Sequence, residues 1–213
     1  PIAYNSRASS VRVSGETIAR PKGESRAESG DIHYGPEQAL DFELELAAVI
    51  GRGNALGSPI PIASAIDHIF GYCLLNDWSA RGIQRWESQP LGPFLGKSFS
   101  TSISPWIVTA EALAPFLAPA FKRDAGDPAP FPHLSDPADR AAGGLDIALG
   151  ADWRTAGMRA RNAAPTRVTN TNATALYWTF AQMVTHHTAN GCNLRAGDLI
   201  ASGSKFVPVV ARA

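Results

Sequence analysis

Asp41-Phe42-Glu43-Leu44-Glu45-Leu46-Ala47-Ala48-Val49-Ile50 alternates acidic with apolar residues and then runs apolar to its end. A period of two is the signature of a strand, so residues 41–50 are predicted to be β. Successive side chains on a strand point to opposite faces, which puts the carboxylates of Asp41, Glu43 and Glu45 on one face. That face continues with Ala47 and Val49, so the acids crowd one end. Neighbouring carboxylates repel. Either the face is solvated, or a hard divalent cation such as Mg²⁺ or Ca²⁺ removes the repulsion. A further ligand has to come from elsewhere in the chain. Asp77 is the candidate, because it ends an apolar run directly before a predicted helix, where sites are commonly built.

Outward from this stretch the elements are short. Residues 51–54 and 57–59 carry turn chemistry. Ser64 offers an N-cap for a helix through Ile69, closed by Gly71. Residues 72–75 form an apolar run, and Ser79 caps a helix over residues 80–87. Residues 92–106 read as strands and turns, and residues 114–139, rich in Pro and Asp, as a surface loop. Residues 11–13, 145–149 and 167–169 are candidate strands. The clearest helix spans residues 173–189, where Leu176, Phe180, Met183 and Val184 recur at helical spacing and Asn190-Gly191 supplies the stop. A turn and strand follow at residues 194–201. Many short strands with few helices define an α+β class, predominantly β.

Composition narrows the function. The 213 residues are 45% hydrophobic and 18% charged, with zero formal net charge. This fits a soluble globular protein and gives no electrostatic reason to expect nucleic acid or anionic lipid as partner. No apolar run reaches the length of a membrane span. Of the two cysteines, Cys73 sits in an apolar run and reads as a small buried thiol. A cytoplasmic location is expected. The sequence opens at Pro1 without a signal-peptide pattern and reads as part of something longer.

On the helix after Asp77, Arg81, Gln84 and Ser88 share one face, while Ile83 and Trp86 can face the core. An aligned guanidinium and amide form either an ordinary polar surface or a carboxylate-binding one. Lys97, in Gly96-Lys97-Ser98, is either an exposed loop lysine or a point charge aimed into a site. The glycine spacing excludes a P-loop.

These residues sit in longer blocks. Asn76-Asp77-Trp78-Ser79-Ala80-Arg81, Ile83-Gln84, Trp86-Glu87 and Leu91-Gly92-Pro93-Phe94-Leu95-Gly96-Lys97-Ser98-Phe99 lead into Thr101 and Ile103-Ser104-Pro105-Trp106. Upstream stand Tyr4 and Arg7-Ala8-Ser9-Ser10. Downstream stand Tyr177-Trp178, Thr185-His186-His187, Asn190-Gly191-Cys192-Asn193-Leu194-Arg195, Gly197-Asp198-Leu199 and Ala201-Ser202-Gly203. Together they resemble the fumarylacetoacetase (fumarylacetoacetate hydrolase) family over nearly the whole chain. Agreement is poorest across residues 114–167.

The resemblance implies a mixed β-sandwich roll, part of that family's C-terminal catalytic domain, over residues 1–204, with a divergent tail at 205–213. It implies that Glu43, Glu45 and Asp77 coordinate Mg²⁺ or Ca²⁺, with Lys97 and Thr101 close to the metal. Arg81, Gln84 and Lys97 would carry catalysis. Tyr4, Arg81, Gln84, Ser88, Gly203 and Ser204 would contact a small diketo-acid substrate. Ser88 stands where the family has a tyrosine, Gly203-Ser204 where it has Gly-Thr, and Asn5-Ser6 where it has His-Gly. The implied reaction is hydrolysis of 4-fumarylacetoacetate to fumarate and acetoacetate, the last step of tyrosine and phenylalanine degradation, by a homodimer. The family's general-base histidine and fourth metal carboxylate map before residue 1, and its histidine-orienting glutamate after Gly203. None of His33, His68, His133, His186 and His187 fits that role, so the chain alone is expected to be slow or inactive. The alternatives are a fragment that binds a metal or dicarboxylate without turnover, and an acylpyruvate-type hydrolase.

Overall fold

The computed structural model describes residues 4–27 and 29–204. The tail expected at 205–213 lies outside the described residues. The labelled elements are strand β1 (Leu44–Ile50), strand β2 (Ile69–Asp77), helix α1 (Arg81–Glu87), helix α2 (Leu95–Ser98), strand β3 (Thr101–Ile103) and helix α3 (Phe180–Thr188). The chain forms two compact units. One comprises the chain up to Glu45 with Cys73–Trp106, the other Leu46–Tyr72 with the chain from Ile107 onward.

In the first unit β3 lies between two partners. It pairs in parallel with Val11–Val13, Val11 opposite Thr101. On its other edge it pairs antiparallel with the end of β2, Asp77 opposite Thr101 and Leu75 opposite Ile103. The sheet is therefore mixed. A hairpin of Lys22–Arg26 and Ile32–Pro36 packs on α1. Its Gly23 approaches so closely that an added Cβ would sit 2.7 Å from Ile83 Cδ1. Ile83, 2% exposed, is the buried residue of α1.

In the second unit Leu199–Ala201 pairs antiparallel with Val49–Ala47 of β1. The start of β2 pairs with Val108–Thr109. Ala148–Trp153 and Thr166–Asn172 form a hairpin with a bulge after Ala151. Helix α3 buries Phe180, Ala181 and Val184. The Phe180 ring meets Tyr72 edge-on at 5.1 Å.

The α+β, β-rich class holds. Several boundaries differ from the sequence reading, each for a local reason. The predicted strand 41–50 is broken. Asp41 belongs to a two-residue strand with Leu40 that pairs Ser79–Ala80, and β1 begins only at Leu44. Ser64 lies inside the short helix Ile62–Ala65 and donates its hydroxyl to the Pro61 carbonyl, so it is not a cap. The β-branched and aromatic run from Ile69 is strand from its first residue. Within residues 92–106 the helix α2 appears. The segment at 114–139 contains the strand Leu117–Ala118 and opens the helix Pro137–Ala142, capped by the Asp136 side chain. The long helix expected over 173–189 is a short turn, Ala173–Ala175, followed by α3. Thr179 and Gln182 close a capping box that starts the helix afresh. Trp86 is 39% exposed rather than in the core, with the Arg26 guanidinium 5.2 Å from its ring centre. Cys73 is a buried free thiol and Cys192 an exposed one.

Candidate active site

Backbone hydrogen bonding in the first unit brings the acids together. The Asp77 amide donates to the Glu43 carbonyl at 3.2 Å, and the Glu43 amide donates to Asn76 Oδ1 at 3.0 Å. The segment entering β1 thus lies along the end of β2. Ligand oxygens of Glu43, Glu45 and Asp77 fall within 4.8 Å of one another. Glu45 is 3% exposed. Thr101, also buried, stands opposite Asp77 in the ladder, on the same face of the sheet.

Two cations press on this group. Lys97 Nζ lies 2.5 Å from Glu43 Oε2 and 3.2 Å from Asp77 Oδ2, and the lysine side chain is 4% exposed. Lys97 is therefore not an exposed loop lysine; its ammonium is inside the acidic cluster. Arg81 Nη1 donates to Glu43 Oε1 at 2.7 Å and to Gln84 Oε1 at 3.0 Å. Its Nε and Nη2 both reach Asp41 Oδ2 at 2.9 Å. Asp41, expected on the face of Glu43 and Glu45, is instead turned to Arg81, because the chain breaks strand geometry at Phe42–Glu43.

Burial pushes the Glu43 carboxyl up, but the bonds from Lys97 and Arg81 outweigh it and hold the group below its ordinary range. Asp77 goes the other way: burial and the charge of Glu43 raise it against the pull of Lys97 and Arg81. Burial works against the charge on Arg81, and its bonds to Glu43 and Asp41 more than restore it, raising its pKa.

A divalent cation fits these residues. Asp77 Oδ1 is buried and has no hydrogen-bond partner among the described residues. A buried acceptor without a donor is costly, and a cation satisfies it. Asp41, Glu43, Glu45 and Asp77 against Arg81 and Lys97 leave a formal excess of two negative charges. Oxygen-only donors suit Mg²⁺, Ca²⁺ or Mn²⁺.

Of the remaining expected residues, Tyr4 lies at the cluster. Burial first, then the charge of Asp77, raises its phenol against the opposing pull of Ser98 and Arg7. Ser88 follows α1 as its C-cap and donates its hydroxyl to the Gln84 carbonyl. Gly203 and Ser204 belong to the other unit.

Two glutamates escaped the sequence reading. Glu37, 5% exposed, accepts from the Ala39 amide at 2.7 Å and the Ile83 amide at 2.9 Å, capping the N-terminus of α1 in place of Ser79. Burial raises its carboxyl, and the backbone donors overcome that and lower it. The cap lies far upstream of the helix, so no local motif announces it. Glu87 accepts from the amides of Phe94, Leu95 and Gly96. Its only signal was its place in the block Trp86-Glu87.

Fold and site together define a β-rich protein with a carboxylate cluster built for a divalent cation. The chain belongs to the fumarylacetoacetate (FAA) hydrolase family, whose C-terminal model matches residues 1–207. It is 51% identical over 205 residues to the fumarylacetoacetase of Arabidopsis thaliana, covering 96% of this chain and 46% of that protein. The chain therefore spans about half the length of the curated relatives it matches. Among solved structures, 5-carboxymethyl-2-hydroxymuconate delta-isomerase from Mycobacterium smegmatis aligns with a TM-score of 0.50 at 22% identity, over 93% of this chain and 68% of that one. Fumarylpyruvate hydrolase from Pseudomonas aeruginosa, in complex with Mn²⁺ and pyruvate, aligns with a TM-score of 0.50 at 19% identity, over 92% and 83%. At these identities the two structures support the fold. No helix among the described residues is long and apolar enough to cross a membrane.

Proposed function

We propose that this chain supplies the cation-holding and substrate-orienting part of a hydrolase that splits a carbon–carbon bond in a β-diketo acid. The proposed reaction is 4-fumarylacetoacetate plus water to fumarate and acetoacetate, the closing step of tyrosine and phenylalanine breakdown, in a cytoplasmic homodimer. The observation that carries the reading is the convergence of Glu43, Glu45 and Asp77 around the unpartnered Asp77 Oδ1, on a chain half identical to a fumarylacetoacetase. The Mn²⁺ in the fumarylpyruvate hydrolase structure supports a divalent ion, with Mg²⁺ or Ca²⁺ as the proposed occupants.

Glu43, Glu45 and Asp77 would hold the ion, beside Lys97 and Thr101. When bound, it supplies Lewis-acid polarisation of a carbonyl oxygen. Arg81 and Gln84 would orient the substrate by donating to its carboxylate or carbonyl oxygens. Lys97 would place a fixed positive charge where negative charge develops as the bond breaks. Tyr4 and Ser88 remain the proposed substrate contacts of the first unit. Because Ser88 replaces the family's tyrosine, a fumarylpyruvate- or acylpyruvate-type substrate is the second reading. Cation binding without turnover is the third, and the carboxylate triad alone is enough for it.

Calorimetric titration with Mg²⁺, Ca²⁺ and Mn²⁺ tests the site. One saturable site is expected, lost in Asp77→Asn; no binding of any of the three ions overturns the cation assignment. Loss of diketo absorbance on adding 4-fumarylacetoacetate, abolished by EDTA and restored by the ion, tests the reaction. Binding without that loss leaves the non-catalytic reading.

A further inference from the structure

We propose that Glu87 is a positioning residue for Lys97, the clamp that sets the lysine's ammonium among the site carboxylates. The proposal concerns the site read above as catalytic, but its geometry does not depend on which reaction runs there.

Glu87 is the last residue of α1 and does not enter the acidic cluster. Its Oε1 accepts from the amides of Phe94 and Gly96, both at 2.7 Å, and its Oε2 from the amide of Leu95 at 2.9 Å. These amides open α2, and the first amides of a helix have no partner within it. Only a carboxylate places two acceptor oxygens, with room for three donors, on one side chain. Helix α2 is four residues long, far too short to hold itself. Apolar burial does not hold it either: Phe94 is 50% and Leu95 53% exposed. Its buried residues are Gly96 and Lys97.

A second contact acts with the clamp. A Cβ on Gly96 would come within 2.8 Å of Gln84 N, Cα and Cβ, so the backbone of α2 lies directly on α1. The clamp and this contact fix α2 both along and against α1, and the residue after Gly96 is Lys97. A single helix therefore presents Arg81 and Gln84 from its first turn and sets Lys97 through its last residue. Both positive charges of the site share one ruler. Without the clamp, Lys97 Nζ loses its register with Glu43 Oε2 and Asp77 Oδ2.

The test uses ¹⁵N-lysine-labelled protein without cation or substrate. The chain has four lysines, Lys22, Lys97, Lys122 and Lys205. A buried, ion-paired ammonium gives an exchange-protected signal, assigned to Lys97 by its loss in Lys97→Arg. In Glu87→Gln that signal is expected to disappear or move into the range of the exposed lysines. Ile83→Val, which softens the same helix from its core side, is expected to lower the melting temperature and leave the signal in place. Glu87→Asp, which keeps the charge on a shorter arm, is expected to retain part of it, and it is read in place of the glutamine variant if that one does not fold. An unchanged Lys97 signal in Glu87→Gln overturns the proposal. So does loss of the signal in Ile83→Val, or failure of both Glu87 variants to fold, since Glu87 would then be structural. In protein that turns over 4-fumarylacetoacetate, Glu87→Gln is expected to lower kcat about tenfold or more and leave KM within about threefold, because a misplaced group costs rate rather than binding. Failure of the hydrolase reading leaves the cation-free signal untouched, so the two failures are distinguishable.

Discussion

Asp77 and Asp139 are alike at first glance and differ in what surrounds them. Each is a half-buried aspartate with a buried Oδ1 that has no partner among the described residues. In each, burial is the leading cause of a raised pKa. Around Asp139 stand the Thr179 hydroxyl, which donates to Oδ2 at 2.9 Å, and the charge of Asp136. A proton is enough to settle that environment. Around Asp77 stand Glu43, Glu45, Lys97 and Arg81. Two cationic side chains already work against protonation there, and the carboxylates outnumber them. An orphaned oxygen by itself marks strain. It marks a site when further donors converge on the same point and their charges do not cancel.

That contrast can be broken first at Lys97. Lys97→Met leaves Glu43 and Asp77 buried without their ammonium, and removing one partner of a buried ion pair costs about 3–5 kcal/mol. Urea denaturation at pH 7 should show a loss of that size, partly recovered on adding Mg²⁺ or Ca²⁺. Recovery without added ion would mean that the carboxylates had shed their charge as Asp139 can, erasing the distinction.

A smaller effect is expected at Glu37, a buried carboxylate of the first unit outside the cluster. Its folded pKa is lowered from 4.5, so the folded state prefers it ionised. Its stabilisation is fully present above that value and is lost as pH falls through the folded pKa. Glu37→Gln should cost about 1–3 kcal/mol at pH 7, since buried amides lose a charged acceptor. The deficit should shrink as pH drops below 4.5 in denaturation curves collected at several pH values.

The smallest change is expected at Asp139, with the opposite sign. Its folded pKa is raised from 3.8, so its stabilising contribution is present below that value and lost as pH rises through the folded pKa. Asp139→Asn should change stability at pH 7 by less than about 1 kcal/mol, because it keeps the shape of the side chain and removes a charge that burial disfavours. Wild type should gain on the variant as the solution is acidified. A large neutral-pH loss in Asp139→Asn would place Asp139 with Asp77 after all.

Much of the candidate site was legible in the sequence. The alternation of Glu43 and Glu45 and the place of Asp77 at a strand end are local features, and local features survive folding. The α+β class, too, followed from many short strands. What the sequence hid was carried by backbone groups distant along the chain. Glu37 caps a helix that begins 44 residues later, at Arg81. Glu87 reaches across a loop to the amides of Phe94, Leu95 and Gly96, and a backbone amide is the same whatever residue carries it. Helix α2 was concealed because Gly96 and the exposed Phe94 and Leu95 argue against a helix, and its order comes from outside it. Trp86 lies off the Arg81, Gln84 and Ser88 stripe and so reads as free to face the core, whereas in the structure it is partly exposed and Arg26 covers its face. The break at Phe42–Glu43, which frees Asp41 for Arg81, follows from pairing with Ser79–Ala80 and has no counterpart in the alternating pattern.

The indole of Trp78 donates to Ser102 Oγ at 3.0 Å, directly after Asp77 and one residue past Thr101. Trp86, Trp106 and Trp153 are exposed, so a collisional quencher such as iodide silences them first. What survives is fluorescence weighted toward Trp78 and Trp178. The fold has thereby tied an intrinsic fluorophore to the strands that carry Asp77 and Thr101, and a shift of those strands can be followed by light without attaching a dye.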